Sequence, residues 1–260
     1  MESIGLGTYK LTPETTYSII REALKLGYRH FDTASLYKNE EAVGRAVRDS
    51  GVERDKIWVT TKVWLKDIKQ NRIGKSIKDS LERLGLDYVD LVLLHGPVEG
   101  KIVSSWQTLE EGYNDKLKGK IKHIGVSNYS IRHLEELKRV WKIKPYCNQI
   151  ELTPFLRREK LVNWLRDNEI KIVAHTSLTK GALLEHSLLV ELGKKYGVTS
   201  AEILLAWAIS KNFVILPRTS NIEHLRSNLQ VDKIKLDQKD INLLDGVPER
   251  YTSLPHYASD

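Results

Sequence analysis

Cysteine is nearly missing from this sequence, and methionine is as scarce. Among the 260 residues there is one cysteine, Cys147, and one methionine, Met1. A single cysteine cannot build a disulfide framework, and a chain of this length can bury enough apolar surface to fold without one. This usage is typical of proteins from a reducing compartment, so we predict a cytoplasmic location.

Long apolar runs and a leader segment are also missing. No stretch approaches the roughly 18 uncharged apolar residues that span a bilayer, and no basic segment leads into an apolar run after Met1. The eight histidines form no HExxH pair, so we expect no metal site. These absences exclude a membrane protein and weaken the case for a metalloenzyme.

Acidic residues are fewer than basic ones, 34 against 41, which gives a formal net charge of +7. Nucleic acid would require a concentrated basic stripe with interleaved aromatic residues. Here Lys and Arg alternate with Glu along helical segments such as residues 132–139. We therefore expect a small-molecule partner and no nucleic acid or membrane partner, and we expect a monomer while leaving an oligomer open.

What the sequence does contain is one unit repeated along its length: a short apolar run, a turn and an amphipathic segment. The runs are Ile4–Leu6, Arg29–Phe31, Ile57–Thr60, Val89–Leu94, Ile121–Val126, Cys147–Ile150, Ile170–Ala174 and Val214–Leu216. Runs that are apolar nearly throughout are typical of parallel strands covered on both faces. Eight such units predict an α/β fold, a (β/α)8 TIM barrel formed by residues 1–260 as a single domain.

Helix boundaries are marked by specific residues. Thr12 and Pro13 predict the start of the first helix, and Gly27 predicts its end. Gly85 predicts the end of a later helix. Two capping boxes are predicted near the end of the chain, Thr199 with Glu202 and Ser220 with Glu223.

Polar residues follow almost every apolar run. In chain order they are Asp32, Lys62, His95, Ser127-Asn128, Gln149 with Glu151, His175, and Arg218-Thr219-Ser220. Singly, each has a structural explanation, since Asp32 could cap a turn and His95 could be a core histidine. In a barrel, however, the carboxyl ends of all strands meet at one rim, where active sites lie. Their joint placement therefore predicts a functional site.

Six segments of this sequence resemble the aldo-keto reductase family, in order and at the family spacing, from about residue 4 to residue 231. They are Gly5-Leu6-Gly7-Thr8-Tyr9, Gly27–Ala34 running on to Tyr37 and Asn39-Glu40, Thr60-Thr61-Lys62-Val63-Trp64, Asp90–His95, Gly125-Val126-Ser127-Asn128, and Asn148-Gln149-Ile150-Glu151. The resemblance implies reduction of aldehydes and ketones to alcohols, and the reverse oxidation, by hydride transfer with a nicotinamide coenzyme.

The resemblance places the family's four catalytic residues at Asp32, Tyr37, Lys62 and His95. Hydride addition to a carbonyl builds negative charge on oxygen, so Tyr37 would deliver a proton there. We expect the Lys62 ammonium to lower the pKa of Tyr37, which is ordinarily about 10. Asp32 would hold Lys62, and His95 would hydrogen-bond the carbonyl oxygen.

The coenzyme site cannot be a Rossmann motif, because Gly5-x-Gly7 lacks a third glycine and opens no helix. The resemblance instead implies a dinucleotide extended across the barrel rim, with the phosphates near a helix opened by Ser220. The implied coenzyme contacts are Gly7, Thr8, Ser127, Asn128, Gln149, His175, Thr176, Ser177, Leu178, Arg218, Thr219, Ser220, His224 and Asn228. Arg218 would contact a 2′-phosphate, so NADP(H) is expected in preference to NAD(H).

Some positions depart from the family pattern. His175 stands where a tyrosine usually stacks on the nicotinamide, and His224 replaces the second arginine for the 2′-phosphate, with Arg226 two residues on. Gly96 stands where many members carry tryptophan, leaving Tyr9 and Trp64 as aromatic walls. Together with a short tail after Val231 and a missing or shortened N-terminal hairpin, this predicts an open pocket and broad specificity. Three residues thus form the predicted substrate pocket: Tyr9, Trp64 and Gly96.

Two other functions remain open at this point. A Schiff-base aldolase would use Lys62 and explain Asp32, but it gives no role to Asn128, Gln149 or Arg218. A non-catalytic, cofactor-sensing barrel would bind NADP(H) without turnover, and a complete catalytic set argues against it.

Overall fold

Eight parallel strands follow one another around the sheet in chain order. The computed structural model describes residues 1–249 and 251–253. The strands are β1 (Leu6–Gly7), β2 (His30–Asp32), β3 (Trp58–Val63), β4 (Val89–Leu94), β5 (Ile121–Ser127), β6 (Cys147–Glu151), β7 (Lys171–His175) and β8 (Val214–Ile215). The predicted (β/α)8 fold is confirmed.

The sheet closes between its first and last strands, which are two residues long. Ile4 bridges Ile215 in parallel. The Gly5 amide donates to the Ile215 carbonyl at 2.8 Å, and the Ile215 amide donates to the Ser3 carbonyl at 2.8 Å. A third bond joins the Gly7 amide to the Pro217 carbonyl at 3.2 Å. We call this line of contacts, residues 3–7 against 215–217, the closing seam.

Helices surround the sheet and bury their apolar sides against it. They are α1 (Pro13–Leu26), α2 (Glu40–Arg48), α3 (Leu65–Lys69), α4 (Ile73–Leu84), α5 (Ile102–Asn114), α6 (Ile131–Lys138), α7 (Glu159–Asp167), α8 (Ser187–Tyr196), α9 (Ser200–Ser210), α10 (Ile222–Leu229) and α11 (Gln238–Asp245). Within the described residues, no helix is both long enough and apolar enough to cross a bilayer.

Most predicted helix boundaries are confirmed. The Thr12 hydroxyl accepts from the Thr15 amide at 3.2 Å, and Gly27 ends the helix at φ 106°. Gly85 ends α4 at φ 58°, which is also a left-handed conformation that suits glycine. The capping box of Thr199 and Glu202 is present in full.

The capping box predicted at Ser220 is wrong. Helix α10 is capped by Asn221, whose side chain accepts from the Glu223 amide at 2.8 Å. The Thr219 hydroxyl accepts from the Asn221 amide at 3.0 Å and so fixes the turn before the helix. Ser220 is exposed in that turn.

Most strands extend to the polar residues that were predicted to follow them. β2 includes Asp32, β3 includes Lys62, and β7 includes His175. These residues continue the hydrogen-bonded ladder, for instance Asp32 beside Thr60 and Lys62 beside Leu93. The polar side chains are therefore held by the sheet itself.

A small apolar cluster of Leu91, Leu93, Cys147, Val173 and Leu216 is separate from the larger core. It fills the barrel interior beneath the rim. Cys147 is fully buried there, and burial raises the pKa of its thiol, which keeps it protonated.

Candidate active site

A cavity of about 500 Å³ opens at the carboxyl ends of the strands. It brings together most of the residues predicted for the site. Those lining it are Gly7, Tyr9, Asp32, Tyr37, Trp64, His95, Ser127, Asn128, Gln149, His175, Thr176, Ser177, Leu178, Arg218 and His224.

The other predicted residues lie behind the cavity wall or beside it. Lys62 is buried beneath Asp32, and the Thr8 hydroxyl donates to the Asp32 carbonyl at 3.0 Å. Gly96 is buried and is not among the residues that line the cavity. The remaining three are Thr219, Ser220 and Asn228, which belong to the turn before α10 and to α10 itself.

The cavity also has walls that the sequence did not indicate. They are Leu36, Lys180, Gly181, Leu184, Ala201, Leu216, Pro217 and Ser253. Lys180 lies in a turn just after β7, so its nearness to the predicted residues 175–178 was the available signal. Ser253 is distant in sequence from the other residues that line the cavity, so no local sequence pattern could predict its position there.

Lys62 and Asp32 form a buried ion pair at the base of the cavity. The Lys62 ammonium donates to Asp32 Oδ1 and, at 2.9 Å, to the Thr33 carbonyl. Burial lowers the pKa of Lys62, and the negative charge of Asp32 opposes that effect. A buried pair is held together because separating it would leave an uncompensated charge.

Gln149 completes the base of the cavity. Its Nε2 donates to Asp32 Oδ2 at 2.8 Å, across 117 positions of sequence. Both carboxylate oxygens of Asp32 are therefore occupied by donors, one from Lys62 and one from Gln149. One N–H of the Gln149 amide is used in this way, and its second N–H and its oxygen are left for a ligand.

Tyr37 reaches the cavity from a short 3-10 turn, Ser35–Tyr37, that follows β2. The Lys62 Nζ lies 5.1 Å from the Tyr37 ring centroid, and the His95 ring centroid lies 5.7 Å from it. Tyr9 packs at 5.0 Å on the outer side of the ring. The phenol is thus enclosed between a cation, an imidazole and an aromatic ring.

The expected lowering of the Tyr37 pKa is wrong for this structure. Burial raises the pKa of Tyr37 well above its ordinary value, and the negative charge of Asp32 adds to the increase. Asp32 pairs with Lys62, so the ammonium does not act on the phenol alone. Tyr37 therefore holds its proton at neutral pH.

His95 stands between Tyr37 and Trp64, with the Trp64 ring at 5.1 Å and 76°. Its Nδ1 is buried and has no hydrogen-bond partner among residues 1–249 and 251–253. A proton on Nδ1 would lack an acceptor, so the neutral ring carries its proton on Nε2. Burial lowers the pKa of His95 well below its usual value, and the charge of Lys62 contributes. His95 is therefore a neutral hydrogen-bond donor.

The side chains of Ser127, Asn128 and His175 form a connected group at the ends of β5 and β7, next to the backbone carbonyl of Gln149 in β6. The Ser127 hydroxyl donates to the Gln149 carbonyl at 2.8 Å. Asn128 Nδ2 donates to the His95 carbonyl at 3.0 Å, and Asn128 Oδ1 lies 3.0 Å from His175 Nε2. Hydroxyl and amide groups of this kind can bind an amide-bearing ligand.

The opposite side of the cavity is exposed and positively charged. Arg218, Lys180 and His224 line it and are exposed to solvent. Arg218 and His224 lie close to the start of α10, where backbone N–H groups and the helix dipole favour anions. In the part of the chain that the structure describes, no group of histidine, cysteine and carboxylate side chains could hold a metal ion.

Residues 251–253 are hydrogen-bonded to this side of the rim. The Ser253 amide donates to both Glu151 oxygens at 3.0 Å, and the Tyr251 hydroxyl donates to the Thr179 carbonyl at 2.6 Å. The segment therefore narrows a pocket that was predicted to be open.

Comparison with known proteins gives a consistent result. The model of the aldo/keto reductase family matches residues 3–249. Methylglyoxal reductase DkgB of Salmonella typhimurium is 35% identical over 243 residues, covering 93% of this chain and 91% of that protein. Glyoxal reductase of Bacillus subtilis is 36% identical over 249 residues, covering 95% of this chain and 89% of that protein.

A solved structure agrees with the sequence matches. The aldo-keto reductase MGS-M4, from a Medee basin deep-sea metagenome library, superimposes with a TM-score of 0.91 at 35% identity. The match covers 96% of this chain and 92% of that one. The family match and the reductase relatives identify an oxidoreductase that acts on carbonyl or CH–OH groups. The chain belongs to the aldo/keto reductase family.

Proposed function

We propose that this protein reduces aldehydes and ketones to alcohols with a nicotinamide coenzyme, NADPH in preference to NADH, and catalyses the reverse oxidation. The observation that carries the proposal is the enclosure of Tyr37 by the Lys62–Asp32 pair and His95 in one cavity. The relatives named methylglyoxal reductase and glyoxal reductase favour small dicarbonyl compounds among the substrates.

The reaction is balanced by one hydride and one proton. When bound, the reduced coenzyme supplies the hydride, with its electron pair, to the carbonyl carbon. The C=O π pair moves onto oxygen, and Tyr37 transfers its phenolic proton to that oxygen to give the alcohol. A phenol that keeps its proton at neutral pH suits this step. In the reverse direction a Tyr37 phenolate would take the hydroxyl proton.

The neighbours of Tyr37 would control charge and orientation. Lys62 is fixed by Asp32 and the Thr33 carbonyl, so its cation favours the phenolate that forms when Tyr37 gives up its proton. His95 would donate from Nε2 to the carbonyl oxygen and hold it near Tyr37. Trp64 and Tyr9 would form the substrate walls.

The residues of the rim fit a dinucleotide. Ser127, Asn128 and Gln149 supply the hydroxyl and amide groups for a carboxamide. A Cβ at Gly7 would stand 2.9 Å from the Leu216 carbonyl, so this part of the wall admits only glycine. Thr8 supports the same wall from behind.

Cationic and backbone groups beyond this wall fit the phosphates. Arg218 is proposed to bind the 2′-phosphate, with His224 beside it. The turn Thr219-Ser220 and the segment Thr176–Leu178 would receive the pyrophosphate, and buried Asn228 would support the adenosine end.

A carbonyl panel that begins with methylglyoxal and glyoxal, run with each coenzyme and followed by coenzyme absorbance, tests the proposal. We expect turnover with both coenzymes, a higher kcat/KM with NADPH, and loss of turnover in Tyr37→Phe. Tight coenzyme binding without turnover across the panel would instead indicate a cofactor-sensing barrel. Trapping of a substrate on Lys62 by borohydride would indicate an aldolase, which the engaged and buried ammonium disfavours. The cytoplasmic location and the monomeric state stay predictions.

A further inference from the structure

His175 does more than offer a ring to the cavity, because both of its nitrogens have partners. Nε2 lies 3.0 Å from Asn128 Oδ1, and Nδ1 lies 2.9 Å from the Thr176 hydroxyl. An amide oxygen can only accept, so Nε2 carries the proton and donates to Asn128. Nδ1 then accepts from Thr176. The two contacts together select a single tautomer.

The tautomer is stable because His175 does not become charged near neutral pH. Burial lowers its pKa to about 3, and the positive charges of Lys62, Arg158 and Lys180 act in the same direction. A protonated ring would also place an N–H against the Thr176 hydroxyl, reversing that bond. The geometry and the charges therefore agree.

The Asn128 amide is fixed in one orientation by these contacts. Its nitrogen donates to the His95 carbonyl at 3.0 Å and to the Ser127 hydroxyl at 3.2 Å, while its oxygen accepts from His175. Turning the amide over would set its NH2 against the His175 N–H and its oxygen against the His95 carbonyl. The backbone of Asn128 is also held at φ 60°, a conformation unusual for residues other than glycine.

We propose that His175 is a positioning residue, whose Nε2–H fixes the Asn128 amide in the orientation that receives the carboxamide of the nicotinamide coenzyme. The inference rests on the proposed function and deepens it. At this position the resemblance implies only a stacking ring. The structure assigns the histidine a second task, which a ring without a donor cannot perform.

Two variants separate the two tasks. His175→Phe keeps an aromatic ring and loses the N–H, whereas His175→Gln loses the ring and keeps an N–H donor. We expect His175→Phe to raise the Kd of NADPH and of NADH about tenfold, the loss expected for one hydrogen bond and its unpaired partner. His175→Gln loses the stacking surface and keeps a donor, so both Kd values should rise by less than in His175→Phe, by about threefold. Protein fluorescence titration of each coenzyme measures these constants.

The reverse order, with Phe near wild type and Gln strongly weakened, would overturn the proposal and leave a stacking role alone. Because both coenzymes share the nicotinamide end, unequal losses for NADPH and NADH in His175→Phe would also overturn it. In an Asn128→Gly background, a change that suits the positive φ, His175→Phe should add no loss beyond that of Asn128→Gly alone. Additive losses would show that His175 does not act through Asn128.

A measurement on the free protein separates this inference from the proposed function. Imidazole ¹⁵N NMR of the wild type should show His175 with a protonated Nε2 and a bare Nδ1, unchanged between about pH 5 and 8. The opposite tautomer, or titration in that range, would overturn the inference even if the enzyme turns over. A wild type that binds neither coenzyme would overturn the proposed function, while the tautomer could still be read.

Discussion

The two sides of the cavity differ in how much of their geometry exists before any ligand arrives. At the ends of β2, β3 and β4, Asp32, Lys62 and His95 are enclosed, and both oxygens of Asp32 are already paired. On the other side, Arg218 after β8 and His224 in α10 are exposed to solvent. The catalytic side is thus assembled by the protein, and the cationic side is left open to an anionic ligand.

This difference indicates where substitutions act. Changes on the enclosed side should alter the chemical step or the stability of the fold, because the groups there hold one another. Changes on the exposed side should alter coenzyme affinity alone. Four experiments test the comparison, from the largest expected effect to the smallest.

Tyr37→Phe should have the largest effect. It removes the proton donor while the ring still packs against Tyr9 and His95, so we expect kcat to fall by about 10²–10⁴. NADPH affinity, measured by fluorescence titration, should be unchanged. Activity within about tenfold of the wild type would contradict the proton-donor role.

Lys62→Met should destabilise the fold through its partner. The change leaves the Asp32 carboxylate buried with only Gln149 as a side-chain donor, and breaking such a pair costs about 3–5 kcal/mol. Urea denaturation of Lys62→Met and of the double variant Asp32→Asn/Lys62→Met measures this cost. We expect the double variant to be the more stable of the two, since it carries no unpaired charge. Equal stability would argue against a tightly held pair.

Arg218→Ala should act on affinity and not on stability. An exposed cation facing a 2′-phosphate contributes about 1.5–3 kcal/mol, so the Kd of NADPH should rise roughly 10–100-fold. The Kd of NADH and the urea midpoint should change little. Equal losses for the two coenzymes would remove the 2′-phosphate role.

The smallest effect is expected from pH. His95 donates from Nε2 as a neutral ring, and its lowered pKa means that the ring gains a second proton only in acid. Tyr37 must be protonated to act as an acid, and its raised pKa means that this state is lost only in strong alkali. Reductive kcat/KM should therefore vary less than about twofold between roughly pH 6 and 9. A clear inflection near pH 6.5 would show that a histidine in the site titrates with an ordinary pKa.

The barrel and the placement of the catalytic side chains could be predicted from the sequence, because both follow local rules. Almost every apolar run is followed by a polar residue, and a parallel barrel brings such ends to one rim. This rule places Asp32, Lys62 and His95 at the rim without the family resemblance. Their roles then came from the resemblance.

The rest depends on contacts between distant segments. The Gln149–Asp32 and His175–Asn128 hydrogen bonds join the ends of different strands. The apolar periodicity within one strand cannot predict which side chains will pair across strands. The direction of the Tyr37 pKa depends on burial in the assembled cavity. The cap of α10 was misplaced by one residue because the Thr219 hydroxyl binds the Asn221 amide and leaves Ser220 outside.

The backbone amides of the closing seam should be less protected from hydrogen exchange than those of the longer strands. β1 and β8 are two residues each, and three backbone hydrogen bonds, two of which form the Ile4–Ile215 bridge, complete the contact. Short ladders open by local fluctuation more readily than long ones, so deuterium should enter the seam amides before those of β3–β5. Gly7 and Arg218 line the cavity from the two sides of the seam, and a bound dinucleotide that contacts both should slow that exchange.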